Sequence, residues 1–248
     1  MIGFLFLGLI TRYLNAGDEN GCDWVPPECD VSIRPGWFWH PSEKPRTVEN
    51  LLEIYYKSVG RNCVLLLNTP PNTTGLLHET DVFTLREFKS ALDSIFATNL
   101  AMKSNVTASS TRGEGSVGLS SCFNPDQVLN EDLDLYWAPN VGLTTGYLQL
   151  DLFSNTTFNV VMIQEAVHMG QRVQQYHVDV WVQESWQTVV VGTTVGYKKL
   201  DRILKVQTPR VRVVIDKARA TPLIAAVGLY LDTRSNFGCN SNVTNCLF

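Results

Sequence analysis

The chain has 248 residues, 44% of them hydrophobic and 18% charged, with a formal net charge of −4. That length suits two ordinary domains, and the ample apolar content excludes a disordered chain. No run of Lys or Arg supplies the basic stripe that displaces counterions from a phosphate backbone, which excludes nucleic acid as a partner.

The first apolar run, Ile2 to Ile10, falls far short of the roughly 20 residues that cross a bilayer, so no membrane anchor is expected. With Ala16 and Gly17 behind it, the run reads either as a signal-peptide core or as a stray extension. No Lys or Arg precedes it to decide for the signal. From Pro45 to Gly60 the apolar residues Val48, Leu51, Leu52, Tyr55 and Val59 recur at helical spacing, with Thr47 placed to cap the start and Gly60 the end. Cys63 to Leu67 is apolar without alternation, which predicts a strand buried on both faces. A second helix is predicted over 80–97, with Val82, Leu85, Phe88, Leu92 and Ile95 on one side. Helix, buried strand and helix in succession point to a parallel α/β unit.

Beyond about Asn99 the pattern changes to short alternating runs between Gly, Ser, Thr and Asn. Leu148, Leu150 and Leu152 share one face, as do Tyr176, Val178, Val180 and Val182, and then Val211, Val213 and Ile215. Period two with turns between predicts antiparallel strands with one face buried. The boundary falls near Phe96 to Met102.

Four Asn-X-Ser/Thr sequons occur, at Asn72, Asn105, Asn155 and Asn242, a density that suits passage through a secretory pathway. Six cysteines agree with an oxidising compartment. Cys239 and Cys246 lie close together in a polar tail, where a disulfide would tie down a fraying end. Cys63, inside its apolar run, reads as a buried thiol.

Two long stretches carry a family resemblance. The run from Tyr13 to His40, YLNAGDENGCDWVPPECDVSIRPGWFWH, followed by Leu51 to Tyr56 and by SVGRNCVLLLNTPPNTTG at Ser58 to Gly75, resembles the closing strands of the catalytic barrel in plant-type α-L-fucosidases of glycoside hydrolase family 29. Ala108 to Ser110, LDLYW ending at Trp137, QEAVHMGQRV from Gln164 to Val173, and Gly228 to Tyr230 resemble the discoidin-type domain that follows that barrel. The resemblance implies an α/β plus all-β chain: residues 1–10 an apolar segment, 11–98 the end of a (β/α)8 barrel, 99–232 an antiparallel discoidin-like jelly-roll β-sandwich, and 233–248 a polar tail. It implies a secreted protein of the apoplast that acts on fucosylated glycans and needs no cofactor.

The same resemblance implies an Asp nucleophile after a Trp-Phe pair and a Glu acid/base after an Arg-Trp pair, and neither context exists in this sequence. A retaining glycosidase needs two carboxyl groups about 5 Å apart across the sugar. Glu28 and Asp30 would approach a sugar from the same side if both lie on one strand, so no catalytic residue is assigned and the chain is expected to be inactive alone. As substrate-binding candidates we take Glu28, Arg34, Trp37 and His40. Glu28 accepts hydrogen bonds from sugar hydroxyls or pairs with Arg34. Trp37 offers an apolar plane to fucose. Period two would turn Trp37 and Trp39 one way and Phe38 and His40 the other.

In the second domain NEDLDLYW, Asn130 to Trp137, stands where some discoidin-type domains hold calcium, but Glu131 replaces the glycine that bends the loop. No metal is therefore expected, and Glu131, Asp132 and Asp134 read as a solvated loop. Trp137, Trp181 and Trp186 read as core more readily than as a sugar platform. His168 and Arg172 are expected at an interdomain contact.

Overall fold

The computed structural model describes residues 17–21, 23–114 and 120–234. The apolar segment 1–10, the Cys239–Cys246 pair and the Asn242 sequon lie outside the described residues.

The first part is a β-α-β-α unit. Strand β1 (Glu28–Ser32) and β2 (Val64–Asn68) run parallel, with Glu28 beside Val64 and Ser32 beside Asn68. Between them α1 (Val48–Lys57) forms because Thr47 caps it, accepting from the Asn50 N–H at 3.3 Å, and because Glu49 and Lys57 sit at the ends that suit the helix dipole. It stops at Ser58, whose N–H returns to Ile54 O at 2.8 Å. Helix α2 (Glu79–Phe96) is capped by His78 Nδ1, which accepts from the Thr80 N–H.

The apolar stripes of both helices meet Ile33 in one core, where Leu51, Leu52, Tyr56, Phe88 and Ile95 are buried. Each such side chain contributes about 1.5–3 kcal/mol relative to exposure. Val160, Leu200 and Tyr230 of the second part belong to the same core, so the α/β unit leans on the sandwich rather than standing apart. Tyr56 Oη donates to Asp232 at 3.0 Å, and the Arg202 guanidinium lies 4.4 Å from the Tyr56 ring centroid.

Two expectations fail here. Cys63 is buried but is not a thiol: it is disulfide-bonded to Cys29, with Cα atoms 5.9 Å apart. The reason is register. Val64 N–H donates to Pro27 O at 2.8 Å, which sets Cys29 diagonally opposite Cys63 on the same face of the sheet. Strand β2 is also not buried on both faces, since Val64 and Leu66 are 59% and 49% exposed, Leu65 and Leu67 are half-buried, and Leu67 packs against the helix core.

The second part is the expected antiparallel sandwich. Its strands are β3 (Asn105–Ala108), β4 (Gly146–Glu165), β5 (Val173–Val182), β6 (Ser185–Gly192), β7 (Lys199–Ala218) and β8 (Ile224–Tyr230). The order is β3-β4-β7-β5-β6, with β8 on the far half of β4. The two 20-residue strands break register at bulges and serve both layers. The first half of β4 pairs with β3 and the second half of β7, and the second half of β4 pairs with β8 and the first half of β7. Between the layers Trp137, Leu148, Leu150, Phe158, Tyr176, Val178, Val213 and Val227 form one apolar core. No helix among the described residues is long and apolar enough to cross a membrane.

Candidate functional site

The resemblance and the sheet direct attention to the carboxyl ends of β1 and β2. Here the chain leaves β1 at Ser32 and turns through Pro35 and Gly36, so residues 33–38 are a bend and not a strand. The turn is pinned from both sides. Ser32 Oγ donates to Gly36 O at 2.7 Å, while Asn68 Nδ2 reaches Ser32 Oγ at 3.1 Å and Trp37 O at 3.0 Å. Period two therefore does not hold: Trp37 and Phe38 both face solvent, at 53% and 84% exposure, and Trp39 turns inward.

Arg34 is the anchor of this loop. It is 1% exposed, and its Nε pairs with Asp81 Oδ2 at 2.9 Å on the fully buried side of α2. Its Nη1 donates to Glu43 O at 2.5 Å and to His40 O at 3.3 Å, and its guanidinium lies 5.8 Å from the Trp39 ring centroid. One cation thus gathers both ends of the loop and the start of α2. Trp39 in turn lies 5.9 Å from the His78 ring.

The four candidate sugar ligands are not brought together. Trp37 and His40 are exposed on the loop, whereas Arg34 faces the protein interior, where it holds the loop that carries Trp37. Glu28 opens β1 at its amino end, about 13 Å from Ser32 at the usual rise per residue. Its pairing with Arg34 does not occur, because Arg34 is committed to Asp81. Glu28 and Asp30 share the exposed face of β1, two residues apart. Asp81, Asn68 and Ser32 were missed in the sequence. Asp81 had a signal, since an acid in line with Leu85, Phe88, Leu92 and Ile95 occupies a position on the apolar stripe.

A separate cleft of about 500 Å3 lies between residues 17–27 and the sandwich. Arg61, His168, Lys199 and Arg219 line it. The two arginines there tie backbone together: Arg61 Nη1 donates to Leu200 O at 2.6 Å, and Arg219 donates to Gly21 O and Glu19 O. Arg172 does not reach the α/β unit, because its guanidinium donates to Thr221 O and Met169 O within the sandwich.

On the sandwich, Trp137 is completely buried, while Trp181 and Trp186 are half-exposed on the outer face of the sheet. These two pack edge to face at 5.2 Å, with Arg212 4.0 Å from the Trp186 centroid and Arg210 5.6 Å from that of Trp181. The 130–134 loop is a chain of turns in which Asn130 and Asp132 accept from the N–H two residues on. Among the described residues no group of three or more His, Cys, Asp or Glu is disposed to hold a metal ion.

Comparison with known proteins agrees with both halves of this architecture. Residues 105–227 match the F5/8 type C domain family. α-L-Fucosidase 1 of Arabidopsis thaliana is 50% identical over 235 residues, which is 94% of this chain and 45% of that protein. A protein of Oryza sativa subsp. japonica named for the same activity is 48% identical over 228 residues, 92% of this chain and 43% of its own length. The solved structure of a Ruminococcus gnavus glycoside hydrolase family 29 fucosidase in complex with fucose superposes with a TM-score of 0.81 at 32% identity, covering 88% of this chain and 43% of that one. The chain therefore spans less than half the length of these relatives. It is a homologue of the plant α-L-fucosidases and of solved fucosidases of glycoside hydrolase family 29, and it carries an F5/8 type C, discoidin-like domain.

Proposed function

We propose that this chain supplies the sugar-facing aromatic loop and the discoidin-like domain of an α-L-fucosidase that releases terminal α-L-fucose from glycans with retention, and that the chain alone does not turn over. The observation that carries this reading is the loop of residues 33–46. It is clamped by the buried Arg34–Asp81 pair and presents Trp37 at the carboxyl ends of parallel strands, where (β/α)8 barrels build their sites. We take the β-α-β-α unit as the closing part of such a barrel, with the exposed Val64 and Leu66 turned to its interior. Trp37 stacks on the apolar face of fucose and His40 borders it. Glu28, at the opposite end of β1, lies out of reach of a sugar held at Trp37.

Hydrolysis with retention asks for a nucleophile and an acid/base on opposite sides of the sugar. Glu28 and Asp30 approach from one side of one strand, so the chain binds fucose without cleaving it. The Cys29–Cys63 disulfide and the sequons support a secreted, apoplastic protein. A second reading, a non-catalytic carbohydrate-binding module, is favoured by the main apolar core of the sandwich, whose members all lie between Leu100 and Leu229 and so come from the sandwich itself.

Titrating the chain with L-fucose while following tryptophan emission separates the two. The first reading expects a response that Trp37→Ala removes and Trp186→Ala leaves in place. A response that depends on Trp186 and ignores Trp37 would favour the module, and no response to fucose would contradict both.

A further inference from the structure

Phe153 is 85% exposed, the most exposed of the large hydrophobic side chains among the described residues. It lies on the bulge of β4. Asp151 is paired with Arg210 and Thr156 with Thr208, so Leu152 to Asn155 stand opposite Pro209 alone and the strand is pushed outward. Leu152 anchors the bulge in the core, and Phe153, Ser154 and Asn155 project from it. Thr156 Oγ1 donates to Ser154 O at 3.1 Å and helps to hold the bend. Asn155-Thr156-Thr157 is a sequon, and its asparagine comes two residues after the exposed ring.

We propose that Asn155 carries an N-linked glycan whose first N-acetylglucosamine lies against the Phe153 ring. Residues i and i+2 keep their Cα atoms within about 7 Å even when fully extended, so a sugar joined to Asn155 Nδ2 reaches the ring without spanning any other element. One face of the pyranose presents C–H bonds, which suit the electron-rich face of an aromatic ring. Covering the ring removes apolar surface from water. The bond forms between Asn155 Nδ2 and C1 of the first sugar; Nδ2 loses a proton and the polyprenyl pyrophosphate of the lipid-linked donor leaves. The other described sequons lack this arrangement. Asn72 Oδ1 accepts from Thr74 Oγ1 at 2.7 Å and from two backbone N–H groups in its own turn. Asn105 borders the same shallow hollow as Phe153, but from the neighbouring strand β3.

This inference rests on passage through a secretory compartment. The full chain is produced behind a secretion leader in a glycosylating host, and its peptides are weighed. Wild type, Phe153→Ser, Asn155→Gln and the double variant are then melted with glycans trimmed to a single sugar. Loss of the Asn155 sugar is expected to lower Tm by about 2–4 °C when Phe153 is present and to leave it unchanged in the Phe153→Ser background. The N-acetylglucosamine protons are expected upfield by ring current in wild type only, which reports the contact independently of stability. An unmodified Asn155 overturns the proposal, and if Asn72 or Asn105 is modified in the same sample the secretory reading survives it. An equal Tm change in both backgrounds, or a dependence on Phe153 that follows Asn105→Gln instead, overturns it too.

Discussion

Replacing Asp81 with alanine tests the loop architecture most sharply. Asp81 is 0% exposed and Arg34 1%, and their contact at 2.9 Å is the one ion pair among the described residues buried on both sides. Removing one member of such a pair strands the other charge and typically costs about 3–5 kcal/mol. Arg34 keeps two carbonyl acceptors, at His40 and Glu43, so the lower end, about 3 kcal/mol, is expected. Arg34→Met in the same background removes the stranded charge and fills its volume with apolar atoms. The double variant should therefore lose less than Asp81→Ala alone, with a coupling of about 2 kcal/mol. Urea unfolding followed by circular dichroism gives the stabilities, and acrylamide quenching of tryptophan reports the loop. A cost below about 1 kcal/mol with unchanged quenching, or a double variant as unstable as the sum of the singles, would refute the clamp.

Three further outcomes follow from buried groups. Opening the Cys29–Cys63 bridge by Cys→Ala at both positions should destabilise the fold by about 2–4 kcal/mol, because the bridge closes a separation of 34 residues; denaturant midpoints with and without reductant check this. Burial pushes the Glu165 carboxyl up to about 7, against the N–H groups of Gly196, Val173 and Arg172 that favour its anion. The folded state then holds the proton more tightly than the unfolded one, so the stability contributed by Glu165 is full below about 4.5 and falls as pH rises towards 7. Midpoints measured across that range should slope less in Glu165→Gln than in wild type. Lys199 is held down to about 8 by burial, so its charged form opposes folding at neutral pH and stability should rise between about 8 and 10.5; Lys199→Met should be more stable than wild type at pH 7 and lose that slope.

The two helices were legible because their stripes and caps are local: Thr47, Leu51, Leu52 and Tyr55 for α1, Leu85, Phe88 and Ile95 for α2. The alternating segments of β4, β5 and β7 were legible for the same reason. The second half of β4 was not, because Phe158 to Glu165 are buried almost without a break and so carry no alternation. Strand β8 was hidden differently: Ile224 to Tyr230 are all buried, so they carry no period. The Cys29 partner of Cys63 depends on the parallel register across 34 residues, which no local pattern encodes. At the candidate site, Trp37 stood out by composition. The inward turn of Arg34 did not, since it follows from the Ser32 and Asn68 hydrogen bonds that end the strand and from an acid on a distant helix.

Hydrolysis of an aryl α-L-fucoside by the purified chain tests the central claim most directly. Without a nucleophile no glycosyl-enzyme intermediate forms, and without an acid/base the leaving oxygen departs unprotonated, a step that alone is worth about a hundredfold to ten-thousandfold in rate. The proposed sugar contacts at Trp37, binding ground and transition states alike, would not raise the chemical rate. The account predicts no release of the aryl group above the protein-free rate. Turnover that persists through purification and disappears in Glu28→Gln would contradict it.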